Sequence, residues 1–231
     1  MKKPVVDYKE FRLSRLADPK FNHLLYLLDW VAFFIMYFIT ENLIPAKNCY
    51  VVHSPVDDII PFCEVFIIPY VLWYVWIAAT LLYFMFYNPD NFKSVMKFII
   101  VTQMVAMAVY IVFPNMQELR PAEFERGNVF TKAVSVLYSI DTNTNVCPSL
   151  HVAYSLGLVS VWLKEKSATP LVKAAMALMA VLVCMSTMFI KQHSFIDFLA
   201  ALPLGLLAEL MVFGKSYYWP KIHKAVDSAK L

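Results

Sequence analysis

Six long apolar runs limit what this chain can become more than any other feature. They cover roughly residues 24–44, 59–87, 95–113, 149–163, 170–190 and 195–213. Each is about long enough for a helix crossing a ~30 Å hydrocarbon core, the fourth being short. Lipid offers the backbone no hydrogen bonds, so a span must be a helix or part of a closed barrel, and none of the runs alternates as barrel strands do. The chain is 60% hydrophobic and only 16% charged, where a soluble domain is about half apolar and about a quarter charged. The expectation is an all-α integral membrane bundle of six transmembrane helices. One domain covers residues 23–214, preceded by a charged segment, 1–22, and followed by a tail, 215–231. Pro61 and Pro69 predict a tilt or kink near the start of the second span.

Charge in the connections sets the orientation. Fifteen Lys/Arg fall on one side: six in residues 1–22, then Lys93, Lys97, Lys164, Lys166 and Lys173, then Lys215, Lys221, Lys224 and Lys230. Five, Lys47, Arg120, Arg126, Lys132 and Lys191, fall on the other. The positive-inside rule places the fifteen, and both termini, in the cytoplasm. The one long connection, 114–148, is then extracytoplasmic, and a connection this long in a small bundle is usually functional. Residues 1–22 read either as an amphipathic helix on the membrane surface or as a solvated tail. No apolar core directly follows Met1-Lys2-Lys3, so no cleaved signal peptide is expected.

Other function classes drop out early. Four glycines cannot build a glycine-rich phosphate loop, and a net charge of +3 gives no reason to expect a nucleic-acid partner. The cysteines show no metal-ligand spacing. Cys63 and Cys184 read as small core residues, while Cys49 and Cys147 share one aqueous side and are the pair a disulfide would join.

Two polar stretches at the mouths of apolar runs carry the candidate chemistry: Cys147-Pro148-Ser149-Leu150-His151 and Lys191-Gln192-His193-Ser194-Phe195-Ile196-Asp197. On a helix, His193 and Asp197 share one face. A carboxylate beside an imidazole fixes its tautomer and raises its basicity, as a nucleophile or general base requires. The competing reading is that polar residues simply collect at helix ends. Both stretches lie on the outer side, where the helix N-termini, Ser149, Lys191 and the two histidines together favour an anion. Arg120 adds a bidentate donor for phosphate. Two histidines and one aspartate leave a metal site incomplete.

Arg120-Pro121, then Pro148-Ser149-Leu150-His151, then Ser186 with His193 and Asp197 resemble, in order and spacing, the three motifs of the type 2 phosphatidic acid phosphatase superfamily, KxxxxxxRP, PSGH and SRxxxxxHxxxD. The resemblance covers roughly residues 113–200. The run Ser186-Thr187-Met188-Phe189-Ile190-Lys191-Gln192-His193 is similar to the inositol phosphorylceramide synthase-like branch, as is Leu150 in place of Gly. The resemblance implies a lipid phosphatase or phosphotransferase acting on a lipid phosphate or phospholipid, with no metal or organic cofactor. His193 would attack phosphorus and become a phosphohistidine, oriented by Asp197, and His151 would protonate the leaving oxygen. Arg120 and Ser149 would hold phosphoryl oxygens. The family's Lys falls at Phe113 and its Arg at Thr187, so two phosphate-binding cations are missing. Lys191 is one candidate replacement, and Arg126 or Lys132 another. Fewer cations favour a phosphodiester, hence transfer between lipids, over a diphosphate.

Among the other ionisable residues, Glu41, Asp57, Asp58 and Glu64 read as hydrogen-bonded or solvated ends of spans, their functional alternative being contact with a head-group hydroxyl or amine. Asp29 reads as structural and Glu118 as an ion-pair partner of Arg120. His23, His53 and His223 carry no role. The alternative of another class is a non-catalytic lipid-binding or transport protein. Transporters usually show repeated halves and midplane sites, and neither pattern is visible here.

Overall fold

Several helices begin where the sequence supplies a cap. The computed structural model describes residues 4–228, with side chains through His223; Lys2, Lys3 and Lys230, and the side chain of Lys224, lie outside the described residues. In chain order the elements are α1 (Leu28–Leu43), β1 (Tyr50–Val51), α2 (Pro55–Ile59), α3 (Ile67–Tyr87), α4 (Pro89–Val112), β2 (Asn115–Met116), α5 (Val129–Ile140), α6 (Leu150–Lys164), α7 (Pro170–Phe189), α8 (Phe195–Phe213) and α9 (Trp219–Ser228). The side chains of Asn88, Ser149, Thr169 and Ser194 accept the first free backbone N–H groups of α4, α6, α7 and α8. Pro89 and Pro170 occupy first helical positions, where no N–H is needed.

This is an all-α membrane bundle. Among the described residues, five helical stretches are long and apolar enough to cross a bilayer: Asn22–Leu43, Glu64–Tyr87, Pro89–Val112, Pro170–Phe189 and Phe195–His223. The sixth long helix, α6, has 15 residues, or ~22 Å. It is the hub, packed on α4, α7 and α8, with Val152, Ala153, Ser155, Leu158 and Val161 fully buried. Helix α3 spans α4 and α7, while α1 leans chiefly on α4. The peripheral helices turn apolar side chains outward, as Phe34, Phe38, Leu206 and Met211 do. The second apolar run is broken at its start: residues 60–63 are not helical, and a tight turn, Glu64–Phe66, leads into α3.

Polar residues gather at the two ends. At one end Glu165 accepts from Asn88 and Asn91, both at 2.7 Å, which ties α6 to the α3–α4 turn. Lys164 reaches Glu209 and Ser160 there. The N-terminal segment is neither a surface helix nor a solvated tail. It docks on this end, with Val5 N donating to Phe86 O at 2.8 Å, the Tyr8 hydroxyl bonded to His23 at 2.6 Å, and Val6 and Phe21 buried. The other end carries the connections, including α5 and the parallel β1–β2 pair. All four cysteines are free thiols, so Cys49 and Cys147 are not joined.

Close packing around α6 depends on a missing side chain. A Cβ at Gly157 would lie 2.5 Å from Cδ1 of Phe98, a ring that is itself 1% exposed and has nowhere to turn. Gly157→Ala is expected to destabilise the bundle by about 1–3 kcal/mol, measured as a lower thermal midpoint in detergent.

Candidate active site

Two buried polar side chains meet at the start of α8, and their bonds fix the state of the imidazole. Asp197 lies in its first turn and His193 just before the cap Ser194, outside the helix on which they were expected to share a face. His193 Nδ1 lies 3.2 Å from Asp197 Oδ2 and 3.0 Å from the Val146 carbonyl oxygen. Both partners only accept, so Nδ1 carries the proton and Nε2 keeps its lone pair. His193 is 7% exposed and Asp197 fully buried. Asp197 is oriented in turn by the Ser194 N–H at 2.9 Å. The adjacent Cys147 thiol is pushed up to about 12 by burial and by the Asp197 charge, which keeps it protonated and inert.

A buried asparagine sets the other acceptor. Asn115 Oδ1 accepts from the N–H groups of Val146 and Cys147 at 2.9 and 2.8 Å, and its Nδ2 donates to the Phe113 and Cys147 carbonyls. Three of its four bonds hold the segment that presents the Val146 carbonyl to His193.

His151, at the start of α6, faces His193 with ring centroids 5.5 Å apart. Its ring packs against Tyr70 at 4.5 Å and Trp73 at 4.1 Å, and its Nε2 has no hydrogen-bond partner among the described residues. Both histidines line a cavity of about 460 Å³. The polar end of the cavity carries Asp141, Thr142, Thr144, Asn145 and Gln192. From there it runs between α1 and α3, past Tyr37, Tyr74, Phe33 and Ile77 to Trp30 and Leu81. The span from Trp73 to Leu81 is ~12 Å along the helix axis.

The structure brings His193, Asp197 and His151 together, and places the other three predicted residues behind them. Arg120 does not line the cavity. It donates to the carbonyls of Tyr138, Asp141 and Thr142 and to Gln192 Oε1 at 2.6 Å, with its guanidinium 4.4 Å over the Tyr138 ring. Burial lowers its pKa, opposed by the charge of Asp141. Its Nε is buried without a partner among the described residues. Ser149 is fully buried as the cap of α6. Lys191 has a left-handed φ of 55°, and its ammonium turns away to the carbonyls of Asp57 and Ile60. Burial lowers its pKa, opposed by Asp57 and Asp58.

The N-terminus of α8, expected to favour an anion, is already occupied by a protein carboxylate. Asp57, 3% exposed, accepts from Ser194 Oγ and from the Phe195 N–H at 2.7 Å. Glu41 accepts from Thr142, Thr144 and Asn145, Glu64 from Asn128, and Asp58 pairs with His53 at 2.9 Å. Glu118 forms no ion pair with Arg120 among the described residues, because the guanidinium is spent on carbonyls. Among the described residues no three His, Cys, Asp or Glu side chains converge to hold a metal ion.

Asn115, Gln192, Asp141 and Tyr70 complete the site. Gln192 Nε2 and the Tyr70 hydroxyl both donate to Asp141 Oδ2, at 3.0 and 2.8 Å. The chain of bonds therefore runs from Arg120 through Gln192 to Asp141, and through Tyr70 to the face of His151. Gln192 and Asp141 stood in polar stretches of the sequence, but nothing local marked them as partners. No protein-family model matches this chain, and no curated protein or solved structure matches it either.

Two substitutions test the frame around His193. Lys191→Ala is expected to cost about 1–3 kcal/mol of stability; an unchanged thermal midpoint in detergent would mean that its bonds to the Asp57 and Ile60 carbonyls do not anchor this turn. Asn115→Ala strands two N–H groups and is expected to cost a similar free energy, read as a lower thermal midpoint, because it loosens the segment that carries the Val146 carbonyl.

Proposed function

We propose that this chain is a six-span membrane enzyme that transfers a phosphoryl or substituted phosphoryl group of a lipid through His193. In this reading α6 is the sixth crossing, both termini are cytoplasmic and the site faces the extracytoplasmic side. The observation that carries the proposal is the state of His193. Its Nδ1 proton is committed to Asp197 and Val146, which leaves a nucleophilic Nε2 in a cavity lined by a second histidine. The resemblance of the three motifs to the type 2 phosphatidic acid phosphatase superfamily points to the same roles.

The chemistry balances with these groups alone. The lone pair on His193 Nε2 attacks phosphorus, a P–N bond forms, and the P–O bond to the leaving group breaks. His151 gives that oxygen a proton. Asp197 stabilises the positive charge that the ring gains when Nε2 is phosphorylated while Nδ1 stays protonated. Water or an alcohol then attacks phosphorus, its proton passes to His151, and the P–N bond breaks. The apolar trench between α1 and α3 accommodates an acyl chain below the reacting phosphate.

The lining favours a phosphodiester over a phosphate dianion or a diphosphate. No Lys or Arg lines the cavity among the described residues, and Asp141 does. A substrate with one negative charge on phosphorus suits that balance, which leans towards transfer between lipids. Purified protein is to be given labelled phospholipid with and without a diacylglycerol or sphingoid alcohol. A labelled second lipid that appears only with the alcohol is expected; free phosphate alone would make the protein a phosphatase. His193→Ala should lose at least ~10³-fold in turnover, and full activity in that variant would sink the mechanism.

A further inference from the structure

Asp141 is an unexpected neighbour for a phosphate. Its carboxylate lines the cavity beside His151 and His193, where it repels phosphoryl oxygens. One oxygen, Oδ2, is fixed by Tyr70 and Gln192. The other has no donor among the described residues. Arg120 spends its guanidinium on carbonyls and on Gln192; its charge acts on Asp141, but it donates no hydrogen bond to this carboxylate. Tyr37 and Tyr74 also line the cavity, near enough to Asp141 to interact with its charge. A fixed carboxylate with a free oxygen beside electron-rich rings is complementary to an ammonium group.

We propose that Asp141, with Tyr37 and Tyr74, forms a subsite for a cationic head group, so that the preferred substrate is a zwitterionic phosphodiester lipid bearing an ammonium. This deepens the proposed lipid phosphotransfer and rests on the phosphate lying between the two histidines. The geometry gives each charge its own neighbour. Phosphorus sits at His193 Nε2, the ammonium lies against Asp141, and the acyl chain follows the trench towards Trp30 and Leu81. Asp141 thereby serves specificity, disfavouring a lipid whose head is phosphate alone and favouring one whose cation cancels the carboxylate.

The test is a binding measurement that needs no turnover. Trp30 and Trp73 line the cavity, so the intrinsic fluorescence of the full chain in nanodiscs reports occupancy. His193→Ala protein is titrated with dodecylphosphocholine, dodecylphosphoethanolamine and dodecyl phosphate, each below its micellar concentration. Both zwitterions are expected to bind about tenfold more tightly than dodecyl phosphate. Asp141→Asn, introduced alongside, should abolish that preference. Tyr74→Leu, which leaves the Asp141 network intact, should weaken the zwitterions about threefold without changing dodecyl phosphate. Equal or tighter binding of dodecyl phosphate, or a preference that survives in Asp141→Asn, would overturn the subsite. If Asp141→Asn does not fold, the Tyr74→Leu comparison decides the matter. Loss of the catalytic reading would appear separately, as turnover that persists in His193→Ala while the binding preference stands.

Discussion

The Nδ1 proton of His193 is the constraint on which the rest of the site depends. Two acceptors share it, the Asp197 carboxylate in the first turn of α8 and the Val146 carbonyl from the far side of the connection. A ring held by a single bond could rotate and present either nitrogen; held by two, it offers Nε2 to the cavity and nothing else. The supporting structure follows from that requirement. Ser194 and Asp197 cap the same helix they serve, Asp57 satisfies its remaining terminal groups, and Asn115 fixes the segment that carries Val146. Much of the connection end is a frame for one imidazole.

The bundle was legible in the sequence because membrane helices announce themselves locally. The apolar length of each run and its Ser, Thr, Asn or Pro start are properties of neighbouring residues, and α4, α6, α7 and α8 begin where those signals stand. The pairing of His193 with Asp197 followed from their spacing, but not as a helix face: His193 lies before the cap Ser194, outside α8, and the capping turn brings it to Asp197. Asp57 and Ser194 lie 137 residues apart in the chain, and Asn115 and Cys147 lie 32 apart. No periodicity encodes such contacts. Lys191 shows how a local signal misleads: two residues from His193 in sequence, it sits in a left-handed turn that sends its side chain to the carbonyls of the α2 region. The N-terminal segment was misread because its apolar residues, Val6, Tyr8 and Phe21, find partners on the α3–α4 end of the bundle rather than in lipid.

Electrostatics distinguishes this cavity from a general phosphate pocket. Arg120 is withdrawn behind Gln192 and Asp141, where it rigidifies residues 138–142 instead of meeting the cavity. The positions at Phe113 and Thr187, where the resembled motifs carry cations, hold an apolar ring and a hydroxyl bonded to the Cys184 carbonyl. Positive charge is thus scarce near His193 and negative charge is present. In the proposed reading, a substrate bringing its own cation would resolve that imbalance, and the aromatic trench would supply the apolar burial for its chain.

The central claim is that phosphorus becomes bonded to Nε2 of His193. The protein is to be mixed with phospholipid labelled at phosphorus, quenched in base within the first turnover, where phosphohistidine survives, and digested for mass spectrometry. The account predicts label on the peptide containing His193 and none on that containing His151, with the adduct absent from His193→Ala protein. Label on His151, or turnover at the normal rate with no labelled histidine at any quench time, would contradict it.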